Sequence, residues 1–180
     1  MLKHGLLHSR AECDRLLGFD LKAVKSDELL DLLHTSVDVK AEIVRQDPHE
    51  KGLRKSLNLG HTVGHAFESH ALAHKRELPH GYAVACGLVA ELVLSHIKLD
   101  FPSEYIYRIA NYVSANYGSY HITCDDYGEL LALMRHDKKS ERGEINCTLL
   151  SQPGIVALNQ LVADDEMKEA LDLYRDLLKI

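Results

Sequence analysis

The most informative segment of the chain reads RKSLNLGHTVGHAFE, from Arg54 to Glu68. If this segment is helical from Leu57 onward, a guanidinium, an amide and two imidazoles share one helix face, those of Arg54, Asn58, His61 and His65. Burying such a face would leave many donors in need of partners, which is not typical of a core-packing stripe. Solvated helix faces are usually rich in Lys and Glu. The segment therefore favours a functional site.

Two glycines in the same segment support this interpretation. Gly60 and Gly64 stand four residues apart, and each costs about 1 kcal/mol relative to alanine inside a helix. Their spacing predicts that some group approaches the backbone of this helix closely.

A third histidine, His80, follows in the motif Leu78-Pro79-His80-Gly81. Two histidines at positions i and i+4 can chelate one metal ion, and a third near a helix start can complete the set. His61, His65 and His80 thus predict a zinc site, the alternative being histidines that only bond to the backbone. There is no His-Glu-x-x-His motif in the sequence, so a zinc peptidase has little support.

Composition and charge limit the classes of function. The 180 residues fit one domain spanning 1–180, with 46% apolar and 27% charged residues. A net charge of −6 argues against nucleic-acid and anionic-membrane partners. The four cysteines lack Cys-x-x-Cys spacing, and no apolar run reaches the roughly 18 residues of a membrane span. We therefore expect a cytoplasmic protein with free thiols and no membrane partner.

Hydrophobic periodicity predicts a mainly α domain of six or seven helices with at most a small β-hairpin. Ser26 is a candidate N-cap for a helix that runs to about Arg45. The most apolar helix, from Gly81 to about Ile97, is expected to be the central buried one. The segment from Gly143 to Leu150 predicts a strand that pairs with residues around Val156.

Cations form a second constellation around the histidines. Arg54 adjoins the histidine face, Lys40 lies on the preceding predicted helix, and Lys138-Lys139 follow a predicted helix end. In an acidic chain, this pattern suggests an anionic substrate held through a carboxylate or phosphate. For the lysine pair alone, a favourable interaction with a helix C-terminus is the simpler explanation. Asp47 and Glu50 are candidates to anchor the Arg54 guanidinium or to transfer protons.

Taken together, these residues resemble the C-terminal domain of the 3-dehydroquinate synthase family. The shared motifs, in chain order, are Lys40-Ala41-Glu42-Ile43-Val44, Asp47-x-x-Glu50-x-Gly52-x-Arg54, Leu57-Asn58-x-Gly60-His61-Thr62-x-Gly64-His65-Ala66-x-Glu68, His80-Gly81-x-Ala83-Val84-Ala85 and Asp137-Lys138-Lys139 with Gly143. They extend over essentially the whole chain, and the block from Asn58 to His65 is highly specific.

The resemblance implies an activity and its cofactors. The family converts 3-deoxy-D-arabino-heptulosonate 7-phosphate to 3-dehydroquinate and phosphate in the shikimate pathway, which leads to chorismate and the aromatic amino acids. It does so by transient oxidation, phosphate elimination, re-reduction, ring opening and aldol closure. It uses NAD⁺ and a divalent metal, zinc or cobalt, and the resemblance implies a homodimer.

The resemblance also implies individual roles. His61 and His80 would be metal ligands, whereas His65 and Glu50 would be catalytic groups that transfer protons. This changes the assignment of His65, which spacing alone would have given to the metal. The substrate would be held by Lys3, Lys40, Arg54, Asn58 and one lysine of the pair Lys138 and Lys139.

Two departures from the family pattern shape our expectations. The segment from Leu2 to Leu6 resembles the tail of a family motif Glu-x-x-Lys-x-Gly, whose glutamate, the third metal ligand, would fall just ahead of Met1. The NAD-binding α/β domain and its Gly-x-Gly-x-x-Gly loop are also missing from this sequence. We therefore expect half of an enzyme, inactive alone. The second departure is Tyr82, where the family usually has glutamate after His-Gly, and it predicts a changed environment around His80.

Two other functions remain open. The first is the helical domain of a metal-dependent polyol or alcohol dehydrogenase, against which the cations and their implied anionic substrate argue. The second is a non-catalytic helical domain that binds a metal or a partner.

Overall fold

The computed structural model describes residues 1–136 and 144–180. Within them the chain forms eight α-helices, two 3₁₀-helices and one antiparallel hairpin. The elements are α1 (Leu2–His8), α2 (Arg10–Leu17), α3 (Ser26–Gln46), a 3₁₀-helix (Leu53–Asn58), α4 (His61–Ala73), α5 (His80–Leu99), α6 (Ser103–Tyr117), a 3₁₀-helix (Cys124–Asp126), α7 (Tyr127–His136), β1 (Ile145–Gln152), β2 (Ile155–Val162) and α8 (Asp164–Leu178). The predicted mainly α class with one small hairpin is confirmed. The predicted number of helices, six or seven, is lower than the eight α-helices described.

Helix α5 lies at the centre of the core, as its apolar sequence predicts. Every residue from Ala83 to Ser95 is buried, and the helix packs against α4, α6, α8 and β1. By length and composition alone α5 could cross a membrane, but 67% of its most apolar window is buried inside the domain. Burial against four neighbours accounts for its apolar composition, because a helix that is hydrophobic all round needs cover on every side.

The predicted continuous helix from Leu57 through the two histidines is wrong. The 3₁₀-helix ends at Asn58, and α4 begins only at His61 after Gly60 adopts a left-handed φ of 79°. Arg54 and Asn58 therefore lie on a different element from the histidines. Only His61 and His65 keep their shared helix face.

The close approach predicted at the glycines comes from α5. A Cβ atom on Gly87 would lie 2.3 Å from the Gly60 carbonyl oxygen and 2.5 Å from the Gly64 nitrogen, and one on Gly64 would lie 3.0 Å from the Val84 Cα. Real Cβ atoms essentially never come within 3.0 Å of another heavy atom, and a contact at 3.0 Å is already unusually tight. The absence of side chains at these glycines thus lets α4 and α5 pack backbone to backbone.

Two smaller predictions differ from the structure in detail. Helix α3 begins at Ser26 itself, after Lys25 as the cap position, so Ser26 does not cap it with its side chain. The strand that was expected from Gly143 begins at Ile145 and pairs with β2, where Leu150 lies opposite Val156. Gly143 itself lies outside the described residues. All four cysteines are free, as expected.

The hairpin fixes the segment that precedes α4. Thr148 on β1 donates its hydroxyl to the Lys55 carbonyl at 3.1 Å, and Thr62 on α4 donates its hydroxyl to the Asn146 carbonyl at 3.2 Å. These bonds tie the 3₁₀-helix and the start of α4 to the same strand. The polar residues of both elements therefore project from segments that are anchored to a strand of the core.

Candidate metal and substrate site

The three predicted histidines come together at one end of α4 and α5. His61 is the first residue of α4, His65 lies one turn later, and His80 is the first residue of α5. Their ring centroids are 5.2 Å, 5.6 Å and 5.7 Å apart, and one nitrogen of each lies within 4.8 Å of the others. Side chains from two helix starts thus converge on one point.

The tautomer of His61 follows from its backbone partner. Its Nδ1 lies 3.1 Å from the Leu59 carbonyl oxygen, which can only accept, so Nδ1 carries the proton. Burial lowers the pKa of His61 to about 4, with further lowering from Lys3, His65 and His80. At neutral pH the imidazole is therefore uncharged and has its lone pair on Nε2, the form that binds a metal.

His80 is oriented by a carboxylate that the sequence reasoning did not assign. Its Nδ1 lies 3.0 Å from Glu68 Oε2 on α4, and both side chains are about half exposed. Metal-binding histidines commonly hold their second nitrogen against a carboxylate or carbonyl in this way. Helical spacing was an available signal, since Glu68 lies three residues after His65 and seven after His61.

A second unassigned carboxylate supports the start of α4. Glu91 on α5 is fully buried and accepts hydrogen bonds from the backbone N–H groups of Gly60 at 2.6 Å and Val63 at 3.1 Å. Burial raises the pKa of Glu91 to about 8, against the lowering effect of these N–H donors. The signal in the sequence was a lone glutamate inside the most apolar helix. Glu91 links the helix of His80 to the helix of His61.

The loop before the 3₁₀-helix is organised by Asp47. Its carboxylate accepts from the backbone N–H groups of Lys51, Gly52 and Arg54 at 3.0, 2.7 and 3.0 Å. Hydrogen bonds from this loop backbone, led by Gly52, lower the pKa of Asp47. The Arg54 guanidinium donates to the Pro48 carbonyl at 2.9 Å. The expected anchoring of that guanidinium by a carboxylate is thus replaced by a carbonyl contact.

Glu50 and Asn58, two further predicted site residues, are hydrogen-bonded to each other. The Asn58 amide donates to Glu50 Oε1 at 3.2 Å, and both residues are half-buried. Glu50 has a left-handed φ of 54°, which is uncommon for a residue with a side chain. The strained loop backbone and this bond together direct the Glu50 carboxylate toward the 3₁₀-helix.

Two of the predicted cations lie on α1 and α3. Lys3 donates its ammonium to the Leu57 carbonyl at 2.6 Å, and its charge contributes to lowering the pKa of His61. Lys40 is exposed on α3. The pKa of His4 is lowered to about 4 by burial, then by the charges of the N-terminus, Lys3 and Lys40, so both lysines lie near His4.

Tyr82 and the lysine pair complete the predicted set. The Tyr82 ring packs edge-on against Tyr117 with centroids 5.4 Å apart, while the His80 Nδ1 position is taken by Glu68. Lys138 and Lys139 lie outside the described residues.

The donor set fits a divalent metal of the zinc type. Zinc prefers neutral imidazole, and three nitrogen ligands with an open fourth position are typical of its catalytic sites. In His61 and His80 the Nδ1 atom already faces an acceptor, which leaves the other nitrogen for the metal. For NAD⁺ the sequence offers no Gly-x-Gly-x-x-Gly loop.

The chain is similar in sequence to 3-dehydroquinate synthases. A 3-dehydroquinate synthase from Parabacteroides distasonis is 44% identical over 98% of this chain and 50% of its own length. One from Bordetella pertussis is 39% identical over 96% of this chain and 48% of its own length. The chain therefore spans about half the length of the curated relatives that it matches.

Solved structures share the fold at lower identity. ValA, a 2-epi-5-epi-valiolone synthase from Streptomyces hygroscopicus subsp. jinggangensis with NAD⁺ and Zn²⁺ bound, matches with a TM-score of 0.78 and 22% identity over 97% of this chain and 49% of its own. A 2-deoxy-scyllo-inosose synthase complexed with carbaglucose-6-phosphate, NAD⁺ and Co²⁺ matches with a TM-score of 0.70 and 20% identity over 94% of this chain and 48% of its own.

A family model decides the assignment. The model described as 3-dehydroquinate synthase C-terminal matches residues 1–140. This range contains the three histidines, the Asp47 loop and the helix of Glu91. The chain therefore belongs to the 3-dehydroquinate synthase family and corresponds to its C-terminal domain.

Proposed function

We propose that this chain is the metal- and substrate-binding part of a 3-dehydroquinate synthase, which converts 3-deoxy-D-arabino-heptulosonate 7-phosphate to 3-dehydroquinate and phosphate. The observation that carries the proposal is the convergence of His61, His65 and His80 at the starts of two helices. A site of this kind beside cations suits oxidation of a hydroxyl on an anionic substrate.

His61 and His80 are the metal ligands in this proposal. The Leu59 carbonyl and the Glu68 carboxylate hold their Nδ1 atoms, so each histidine presents Nε2 in a fixed orientation. A bound zinc or cobalt ion would polarise the substrate hydroxyl that is oxidised and lower its pKa. The burial of His61 keeps its imidazole neutral for this role.

His65 and Glu50 are the proton-transfer groups. The His65 ring lies 5.2 Å from the His61 ring and 5.6 Å from the His80 ring, so it borders the metal position. An imidazole is suited to proton transfer near neutral pH. Glu50 is held by Asn58 at 3.2 Å, a contact that orients its carboxylate.

Substrate binding is assigned to cations and one amide. Lys3, whose charge lies near His61, and Arg54, whose backbone N–H is held by Asp47, would bind a carboxylate or hydroxyls of the substrate. Lys40 and Asn58 join them, and one of Lys138 and Lys139 is assigned to the phosphate from the sequence alone. In a chain of net charge −6, these cations would give the site a local charge opposite to that of the substrate.

Several features of the whole protein complete the proposal. NAD⁺ would bind to a nucleotide-binding domain outside these 180 residues, and the chain alone would not turn over substrate. We further propose a cytoplasmic homodimer that does not bind nucleic acid or membranes. Formation of dehydroquinate by the 180-residue chain with NAD⁺ and substrate would contradict the proposed division of the active site.

Zinc affinity tests the assignment of the histidines. We expect His61→Ala and His80→Ala to lower zinc affinity at least about tenfold, because even loss of an outer partner of a ligand commonly costs about 10–100-fold. His65→Ala should keep most of the affinity, and His34→Ala on the exposed face of α3 is the control. Stepwise chelator competition, which gives a separate affinity for each bound equivalent of zinc, measures all four. A loss in His65→Ala as large as in the other two would assign His65 to the metal instead.

A chimera tests the activity. The chain would replace the matching C-terminal half of the Parabacteroides distasonis enzyme, which is 44% identical to it. We expect phosphate release from the heptulosonate phosphate that depends on NAD⁺ and a divalent metal, and that His65→Ala abolishes. A chimera that folds and binds both NAD⁺ and zinc but releases no phosphate would overturn the proposed function.

A further inference from the structure

A second cluster of metal-binding side chains lies at the other end of α4. His70 and His74 are four residues apart, in the last turn of α4 and at its C-cap, while Glu129 comes from α7. One ligand atom of each of these three residues lies within 4.8 Å of the others. Asp126, at the end of the second 3₁₀-helix, places its Oδ1 3.5 Å from the Nε2 of His70. The proposed function uses none of these four residues.

The buried histidine of this cluster has one unsatisfied nitrogen. His70 is only 2% exposed, and its Nε2 has no hydrogen-bond partner among the described residues. Its Nδ1 is 2.7 Å from the Tyr120 hydroxyl. If Nδ1–H donates to the tyrosine oxygen, the Nε2 lone pair points into the cluster. A buried polar atom without a hydrogen-bond partner costs free energy. A ligand bound at this nitrogen would offset that cost.

Three distances around this nitrogen are close to those between the ligand atoms of a zinc ion. His70 Nε2 lies 3.5 Å from Asp126 Oδ1 and 3.8 Å from Glu129 Oε2, and His74 Nε2 lies 3.1 Å from Glu129 Oε2. Zinc bonds of about 2.0–2.2 Å place two ligand atoms of a tetrahedral site roughly 3.3–3.5 Å apart. Small rotations of the exposed His74 and Glu129 side chains would therefore complete the geometry.

The carboxylates are partly positioned in advance. Asp126 Oδ2 accepts from the backbone N–H of Thr123 at 2.7 Å and from its hydroxyl at 3.1 Å, which turns Oδ1 toward His70. The guanidinium of Arg76 stacks on the Tyr120 ring at 4.3 Å and donates to the His121 carbonyl, so it is engaged with these groups. Two carboxylates thus face the point between the histidines, which favours a divalent cation over an anion.

We propose that His70, His74, Asp126 and Glu129 form a second, structural zinc site. It is distinct from the site of His61, because His70 lies nine positions after His61 in α4, roughly 14 Å along the helix axis at about 1.5 Å per residue. The ion would join the C-terminal end of α4 to the segment that leads into α7. Four protein ligands without an open position are typical of structural rather than catalytic zinc.

Zinc titration of the 180-residue chain in a His61→Ala/His80→Ala background tests the proposal. We expect one equivalent of zinc by competition with a chromophoric chelator, and cobalt absorption bands of a tetrahedral site. His74→Ala and Glu129→Gln should each lower the affinity at least about tenfold. Both side chains are nearly half exposed, so these variants should fold, as circular dichroism would verify. His34→Ala and Glu169→Gln, at exposed positions on other helices, are the matched controls.

Two results would overturn the second site. One is a background chain that binds no zinc, in which case His70 and the carboxylates form only a histidine–carboxylate cluster. The other is an affinity that neither His74→Ala nor Glu129→Gln lowers relative to the controls, which would mean adventitious binding to scattered histidines. Both readouts are independent of enzymatic activity, so failure of the proposed function would not affect them.

Discussion

The buried carboxylate of Glu91 accepts a 2.6 Å hydrogen bond from the backbone N–H of Gly60. With the second bond from Val63, it satisfies two of the N–H groups that a helix start leaves without partners. A side chain from α5 thus caps α4 at the residues that flank His61. We therefore expect this contact to fix the start of α4.

Replacing the cap should destabilise the domain. Glu91→Gln keeps the size of the side chain but supplies only one accepting oxygen, so its amide would oppose a buried N–H donor. We expect a loss of about 1–3 kcal/mol in the free energy of unfolding, measured by urea denaturation with Glu169→Gln as the surface control. A loss below about 0.5 kcal/mol, as for ordinary surface changes, would contradict the role of the cap.

The raised pKa of Glu91 also predicts a pH dependence of stability. The ordinary pKa is 4.5 and burial raises it to about 8 in the folded chain. Between these values the folded state holds a proton that the unfolded state releases, so this group's contribution to stability falls as pH rises from 4.5 to 8. We expect the stability difference between wild type and Glu91→Gln to decline over that window. A difference that grows with pH would show that the N–H donors outweigh burial.

Glu68 should increase the zinc affinity of the site formed by His61 and His80. Glu68→Ala removes the acceptor of His80 Nδ1 and frees the imidazole to rotate. We expect zinc affinity to fall about 10–100-fold, with Glu68→Gln retaining part of it through its carbonyl oxygen. Glu77→Ala, at an exposed position in the loop before His80, is the matched control. Equal affinity in Glu68→Ala and wild type would show that this bond does not orient a ligand.

Replacing Asp47 should loosen only the loop that its carboxylate organises. Asp47→Ala removes the acceptor of three backbone N–H groups, those of Lys51, Gly52 and Arg54. We expect faster hydrogen exchange in this loop and unchanged exchange in the buried helix α5, because loop opening requires much less free energy than global unfolding. Asp38→Ala, on the exposed surface of α3, serves as the control. Accelerated exchange throughout α5 would instead indicate a global loss of stability.

Local sequence patterns predicted much of this fold. The apolar run of α5, the strand pattern that ends at Leu150 and the helical spacing of His61 and His65 all depend on near neighbours. The break at Gly60 does not, since its left-handed backbone accompanies contact with Leu88 and Val84 on α5. The cap by Glu91 joins residues 31 positions apart. Such contacts are set by the packing of whole helices, which periodicity does not describe.

The site residues also divide into those that local sequence patterns predict and those that they do not. The three histidines could be grouped by chemistry and spacing, whereas Glu68 and Glu91 were not assigned a role, because their partners, His80 and the backbone at Gly60 and Val63, belong to other elements. The cluster of His70, His74 and Glu129 was missed because its carboxylate lies on a distant helix. Its only local signal is the His-x-x-x-His spacing in α4.

The backbone contact of Gly60, Gly64 and Gly87 separates the geometry of the histidines from the composition of the core. Because α4 and α5 meet through atoms that every residue possesses, their spacing at this point does not depend on which apolar side chains fill the interior. Sequence drift among leucines, valines and alanines elsewhere could then proceed without altering the distance between His61 and His80. The glycines would thereby keep the geometry of the histidine site constant when residues elsewhere in the core change.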